Sequence, residues 1–153
     1  MSQRRAFTMI ELIFVIIVLG ILSAIAFNKL SATRDDARLS QMAKSISVAI
    51  TEVAANAVAT GNVPTSSDEW LAASKNILSL YSRGLASINA SNEVEFKMGD
   101  VPDCLVFHIN TSAVGDENLT LQKPATTSIL CERLQGMFDT SSYPLKGGRV
   151  SYE

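Results

Sequence analysis

The side chains that could do chemistry in this sequence are few: one carboxylate in an apolar run, two cysteines and one histidine. Glu11 is the only charged residue across residues 7–27. An acid near the centre of a membrane helix costs up to about 3 kcal/mol, and less near the helix end. Glu11 stands one turn inside the run, so its cost is moderate but gratuitous unless something pairs with it. No Lys or Arg lies three or four residues away, so the sequence shows an acid without a local partner. Cys104 and Cys131 both fall in the C-terminal half. In an exported chain such a pair reads as one disulfide, and a loop of that length is worth about 3.5 kcal/mol. Two buried free thiols are the alternative. Two Cys and one distant His lack the spacing of a zinc site. His108 shares a strand face with Cys104 and Val106, which favours core or edge packing over catalysis. Nucleophile–base pairs, a Gly-rich phosphate loop and paired metal ligands are all missing from the pattern. The expectation is a protein that is not an enzyme and takes no metal or cofactor.

The elements that must position these groups begin with the apolar run. Residues 7–27 rise 1.5 Å each as a helix, enough to cross about 30 Å of hydrocarbon. Arg4 and Arg5 precede the run and only Lys29 closely follows it, so the N-terminus is expected on the cytoplasmic side and the rest outside. The chain as a whole is 47% hydrophobic and 18% charged. That is apolar for a soluble protein, yet beyond the run the character is that of one ordinary domain. A formal net charge of −2 leaves no basic face for nucleic acid.

Three readings of the N-terminus compete. A plain signal anchor explains the run but not Glu11. A secretory signal fits Arg4-Arg5, the apolar stretch and the A-x-A pattern Ala24-Ile25-Ala26, and Arg4-Arg5-Ala6-Phe7 brushes against a twin-Arg signal. The third rests on Ala6-Phe7-Thr8-Met9-Ile10-Glu11-Leu12, which closely resembles the cleavage and methylation motif of type IV prepilins. The resemblance covers residues 4 to about 30 and implies several things at once. A prepilin peptidase cuts between Ala6 and Phe7, and the new N-terminus at Phe7 is methylated. Glu11 then becomes the fifth mature residue, facing the amine of a neighbouring subunit during assembly. Two ions that are each costly in an apolar environment compensate there. Two positions depart from the family: Ala6 stands where Gly is usual, and Asn28 stands where many members have a helix-kinking Pro. Gly20 is left as the weak point of the helix, at about 1 kcal/mol against Ala.

Beyond the run, Leu39, Met42, Ile46, Ala49, Ile50, Val53 and Ala57 recur at helical spacing, predicting one helix from about Thr8 to Thr60. Thr60-Gly61-Asn62-Val63-Pro64 ends it. Ser66 to Glu69 offers a capping box for a second amphipathic helix through Trp70, Ile77, Leu78, Tyr81 and Leu85, stopping near Gly84. Strands are expected at residues 93–98, 103–110 and 118–123, a short helix at 127–138, and a last strand at 147–152. The expected organisation is a leader at 1–6, a transmembrane and polymerisation helix at 7–27, an amphipathic stem at 28–60 and an extracytoplasmic head at 61–153. The fold class is α+β: a pilin-like lollipop, its long helix packed on a small antiparallel sheet.

Asn118 in Glu117-Asn118-Leu119-Thr120, with Asp116 two residues before it, resembles the extended acceptor of some bacterial N-glycosylation systems. Asp100, Asp103, Asp139 and Glu153 do not reproduce the calcium loop of secretion pseudopilins. The resemblance implies copies of the chain and related pilins, the prepilin peptidase, and an inner-membrane assembly platform with its ATPase as partners. It also implies a single-pass protein of the bacterial inner membrane that later enters a periplasmic or cell-surface filament. Two other roles stay open: a type II secretion pseudopilin forming a periplasmic piston, and a tethered or secreted binding protein that never polymerises.

Overall fold

The computed structural model describes residues 8–111 and 116–146, without the side chains of residues 27–32 and 146. Among the described residues nine elements follow one another in chain order. They are α1 Met9–Thr60, α2 Ser67–Ala73, α3 Lys75–Ser82, β1 Ala86–Ile88, β2 Val94–Met98, β3 Val101–Thr111, β4 Glu117–Gln122, α4 Ile129–Gly136 and β5 Ser142–Lys146. The class is α+β, an N-terminal apolar helix followed by short helices and a small antiparallel sheet. The chain divides into two compact units, one up to Arg38 and one from Leu39 onward.

The first unit is helical. Its window Met9–Ala26 is long and apolar enough to cross a membrane, and none of it is buried. Leu12, Ile13, Phe14, Ile16, Leu19, Ile21 and Leu22 are each more than half exposed. Such a surface must be covered by lipid or by other helices to be stable outside water's reach. The helix runs through Gly20 and through Asn28 without a break, as a position with neither proline nor competing cap allows.

The second unit is built on the C-terminal part of α1. All seven residues of the stripe read from the sequence are buried, from Leu39 to Ala57. They share one core with the sheet residues Val94, Phe96, Leu105, Phe107, Leu119, Leu121 and Leu145. The sheet is a plain antiparallel meander in the order β1-β2-β3-β4-β5. Its register sets Val94 opposite Phe107 and Phe107 opposite Leu121, so one alternating face carries the core. Phe96 meets Phe107 edge-on at 4.6 Å between ring centroids. Gly99, at φ 62°, sits in the tight β2–β3 connection that a left-handed residue closes most readily.

The opposite face of β3 is also buried, at Cys104 and Val106. α4 packs on β3, and a Cys104–Cys131 disulfide with 5.5 Å between Cα atoms fastens it there. The Gln135 side-chain amide donates to the carbonyls of Cys104 and Pro124, each at 2.8 Å. These contacts cover the outer face of β3 at Cys104.

Three expectations need correction. The second helix is two, α2 and α3, broken at Ser74. That residue ends α2 and caps α3, its hydroxyl accepting from the Ile77 amide. The capping box at Ser66 forms on one side only. Ser66 accepts from the Glu69 amide, but Glu69 reaches back one residue further, to the Thr65 amide at 2.6 Å and its hydroxyl at 2.9 Å. β1 and β5 are strands that the alternation pattern did not mark. The expected strand at 147–152 lies outside the described residues, as do the leader residues and Phe7.

The break at Ser74 is held from outside. Glu52 on α1 accepts from the Ser74 hydroxyl at 2.6 Å, the Asn76 amide at 3.1 Å and the Asn76 side chain at 3.1 Å. Burial pushes the Glu52 carboxyl up, but these hydrogen bonds outweigh it and hold the group below its ordinary value of 4.5. A depressed carboxyl contributes stability above its unfolded pKa and loses it as pH falls through the lower folded value. Glu52→Ala is therefore expected to cost about 2 kcal/mol near neutral pH and distinctly less at an acid pH below the folded value, where only the hydrogen bonds of the neutral acid are lost. Denaturant unfolding at both pH values would check it; an equal cost at both would remove the carboxylate from the explanation.

Candidate functional site

Glu11 lies in the first turn of α1, and the structure gives it the local partner that charge spacing did not reveal. The Thr8 amide donates to Glu11 Oε2 at 2.8 Å and the Thr8 hydroxyl donates to the same oxygen at 2.7 Å. The Glu11 amide in turn approaches Thr8 Oγ1 at 3.4 Å. Thr8-x-x-Glu11 is a capping box, in which two otherwise unpartnered helix-terminal amides are satisfied reciprocally. The signal was present in the sequence: a threonine, three residues before a glutamate, at the head of an apolar run. A carboxylate at a helix N-terminus also faces the positive end of the helix dipole.

The cap fixes where the carboxylate sits without neutralising it. Both Thr8 and Glu11 are exposed in the single chain, and the cap's donors all engage Oε2. Among the described residues no cation is paired with Glu11. The arrangement therefore presents a preset negative charge at the start of a bare apolar helix. Chemically it can receive a cation arriving with a second apolar surface, and such a pair gains strength as water is excluded.

The other sequence candidates fall elsewhere. Cys104 and Cys131 are joined as a disulfide within the second unit. His108 is half-buried, and its Nδ1 lies 2.6 Å from Glu93 Oε1. The Glu93 carboxyl also accepts from Asn89, which with His108 holds it below the ordinary carboxylate range against the opposing effect of burial. The pair is a polar contact between β3 and the residue that precedes β2. Asn118 is half-buried in β4, paired with Asn110 on one side and Pro144 on the other. The Thr120 hydroxyl of the same triplet donates to the His108 carbonyl at 3.1 Å and accepts from the Asn110 amide at 3.0 Å. The Thr120 hydroxyl is thus engaged within the folded sheet. Ala6 and Phe7 lie outside the described residues. Among the described residues no cluster of three or more His, Cys, Asp or Glu could hold a metal.

Comparison with known families finds one match. Residues 1–27 fit the model of the prokaryotic N-terminal methylation motif, the signature of type IV pilins and pseudopilins. The matched stretch ends where the apolar window ends and contains both Thr8 and Glu11. No curated protein and no solved structure matches the chain. The match covers the N-terminal 27 residues, and the helix within it is long and apolar enough to serve as a membrane anchor.

Proposed function

We propose that this chain is a structural subunit of a type IV pilus-like filament. In this reading prepilin peptidase cuts between Ala6 and Phe7, and the new amine at Phe7 is methylated. Residues 7–27 hold the subunit in the inner membrane until it is extracted, residues 28–60 form the stem, and residues 61–153 form the head outside the cytoplasm. Polymerisation runs through the helix. The amine of one subunit meets Glu11 of a subunit already in place, and the apolar helices cover one another. An inner-membrane platform and an ATPase would supply the work of extraction.

The observation that carries this reading is the methylation motif over residues 1–27 set on a fully exposed apolar helix with Glu11 at its head. The motif is shared by secretion pseudopilins, whose filament is a short periplasmic piston; electron microscopy of surface filaments separates the two. Mass spectrometry of the mature N-terminal peptide from the native host tests the reading itself. The expected peptide begins at Phe7 and carries one extra methyl group. A chain beginning at Phe27 would show removal of an ordinary secretory signal after Ala26, and an uncut Met1 would leave a simple anchor.

A further inference from the structure

One side chain ties together the β1–β2 turn, residues 89–93. Asn89 Oδ1 accepts from the Ser91 and Glu93 amides, each at 3.0 Å. Its Nδ2 donates to Glu93 Oε2 at 2.8 Å and to Glu95 Oε1 at 3.0 Å, so two carboxylates share one amide. Such a pair repels unless a cation stands beside it. The group beside it is His108, whose Nδ1 lies 2.6 Å from Glu93 Oε1. His108 is the only histidine of the sequence, and histidine is the side chain whose ordinary charge change falls between pH 5 and 8. We propose that His108, Glu93, Glu95 and Asn89 form a pH-sensitive latch, which holds the β1–β2 turn on β3 when His108 is charged and loosens it when His108 is neutral.

A carboxylate only accepts, so Nδ1 keeps its proton in both states and the proton that comes and goes is the one on Nε2. The contact survives deprotonation, while the charge that offsets Glu93 and Glu95 does not. The His108 and Glu93 side chains are 34% and 20% exposed, so solvent screens them only in part. Along β4 the residues opposite this stretch of β3 are Asn118, Thr120 and Gln122, none of them ionisable. Lys97 of β2 stands two residues beyond Glu95 on the same face, toward Cys104. α4, with Glu132 and Arg133, is fastened at Cys104, four residues from His108. A cation that gains an opposite charge on folding lends stability at low pH and loses it as pH rises through its titration. Glu93, held below the ordinary carboxylate range chiefly by the Asn89 hydrogen bond, sets the acid limit, below which it is protonated and the pair is lost. The far end of the turn carries the effect into the core. Asn92, left-handed at φ 61°, accepts at its carbonyl from the Trp70 indole at 3.0 Å and donates its side-chain amide to the Pro64 carbonyl at 3.3 Å. Loosening the turn therefore reaches a fully buried tryptophan. The latch lies wholly within the second unit and is independent of the filament reading.

The full chain in detergent micelles provides the test, because Trp70 is its only tryptophan. Trp70 fluorescence is expected to follow a one-proton transition between about pH 5.5 and 8. Amide protection at residues 89–93, corrected for the intrinsic pH dependence of exchange, is expected to fall about ten-fold over the same range, with residues 119–121 of β4 unchanged. His108→Gln keeps a side-chain donor without a titrating charge. It is expected to abolish both changes, its turn matching the alkaline wild type throughout the range. A flat wild-type profile overturns the proposal. So does a transition that persists in His108→Gln, which would place the titrating group elsewhere, for instance at the terminal amine. Should the variant fail to fold, the wild-type exchange profile decides alone: a loss spread evenly over the sheet would mark a global pH effect and overturn the latch as well.

Discussion

Glu11→Ala is expected to leave membrane insertion intact and to reduce filament incorporation by roughly two to three and a half orders of magnitude. The helix of residues 9–26 keeps its apolar length without the acid, so partition into the bilayer is unimpaired or slightly favoured. Assembly in the proposed filament differs, because there the neighbour's amine would be buried among apolar side chains with nothing to compensate it. Removing one member of a buried ion pair costs about 3–5 kcal/mol, which is the stated range at about 1.4 kcal/mol per decade. The capping geometry makes a second variant informative. Glu11→Gln keeps an oxygen that can accept from the Thr8 amide and hydroxyl but carries no charge. If the role of Glu11 is to cap the helix, Glu11→Gln behaves as wild type; if it is to pair with a cation, Glu11→Gln fails nearly as badly as Glu11→Ala. Subunit content of sheared filaments, normalised to the amount in the membrane fraction, measures both. Wild-type incorporation of the glutamine variant would end the ion-pair account while leaving the cap.

How much of this was legible beforehand depends on whether the deciding interaction is local. The α1 stripe was fully readable, because a 3.6-residue period survives whatever packs against it, and all seven residues are buried. The division of the second helix at Ser74 was not. Apolar spacing runs on from Trp70 to Ile77, and the break is held by Glu52, 22 residues away in sequence. β1 has only three residues, too few for alternation to register. β5 carries Pro144 at its centre, which argues against a strand unless it lies toward an edge. The β4–β5 register shift between Glu117 and Asn118 shows how irregular that edge is. At the N-terminus the motif and Glu11 were readable from residue types alone. Thr8 carries a neutral hydroxyl that charge spacing does not register, although its interval to Glu11 is that of a capping box.

Replacing both Cys104 and Cys131 with serine is expected to lower the unfolding temperature by roughly 10–15 °C. The bridge spans a sequence separation of 27, for which loop closure predicts about 3.5 kcal/mol of lost stability. A unit of this size shifts by about 4 °C per kcal/mol. The loss should be felt beyond the bridge itself. α4 has eight residues, too few to hold together alone, and Ile129 and Met137 at its ends are exposed. Its other attachments include the buried Leu134, the two Gln135 hydrogen bonds and the contact of Lys123 Nζ with the Phe138 carbonyl. When α4 loosens, water reaches the stretch of β3 around residue 104 that it packs on. Burying that apolar surface is worth about 25 cal/mol per Å², so exposure adds to the entropic loss rather than replacing it. Thermal unfolding of the full chain with and without reductant, beside the double serine variant, measures the sum. Amide exchange then separates the parts: α4 and residues 104–107 should lose protection first, with the α1 stripe holding until global unfolding. A shift below about 2 °C would mean that packing under Leu134 already holds α4 in place and that the disulfide is dispensable to the head.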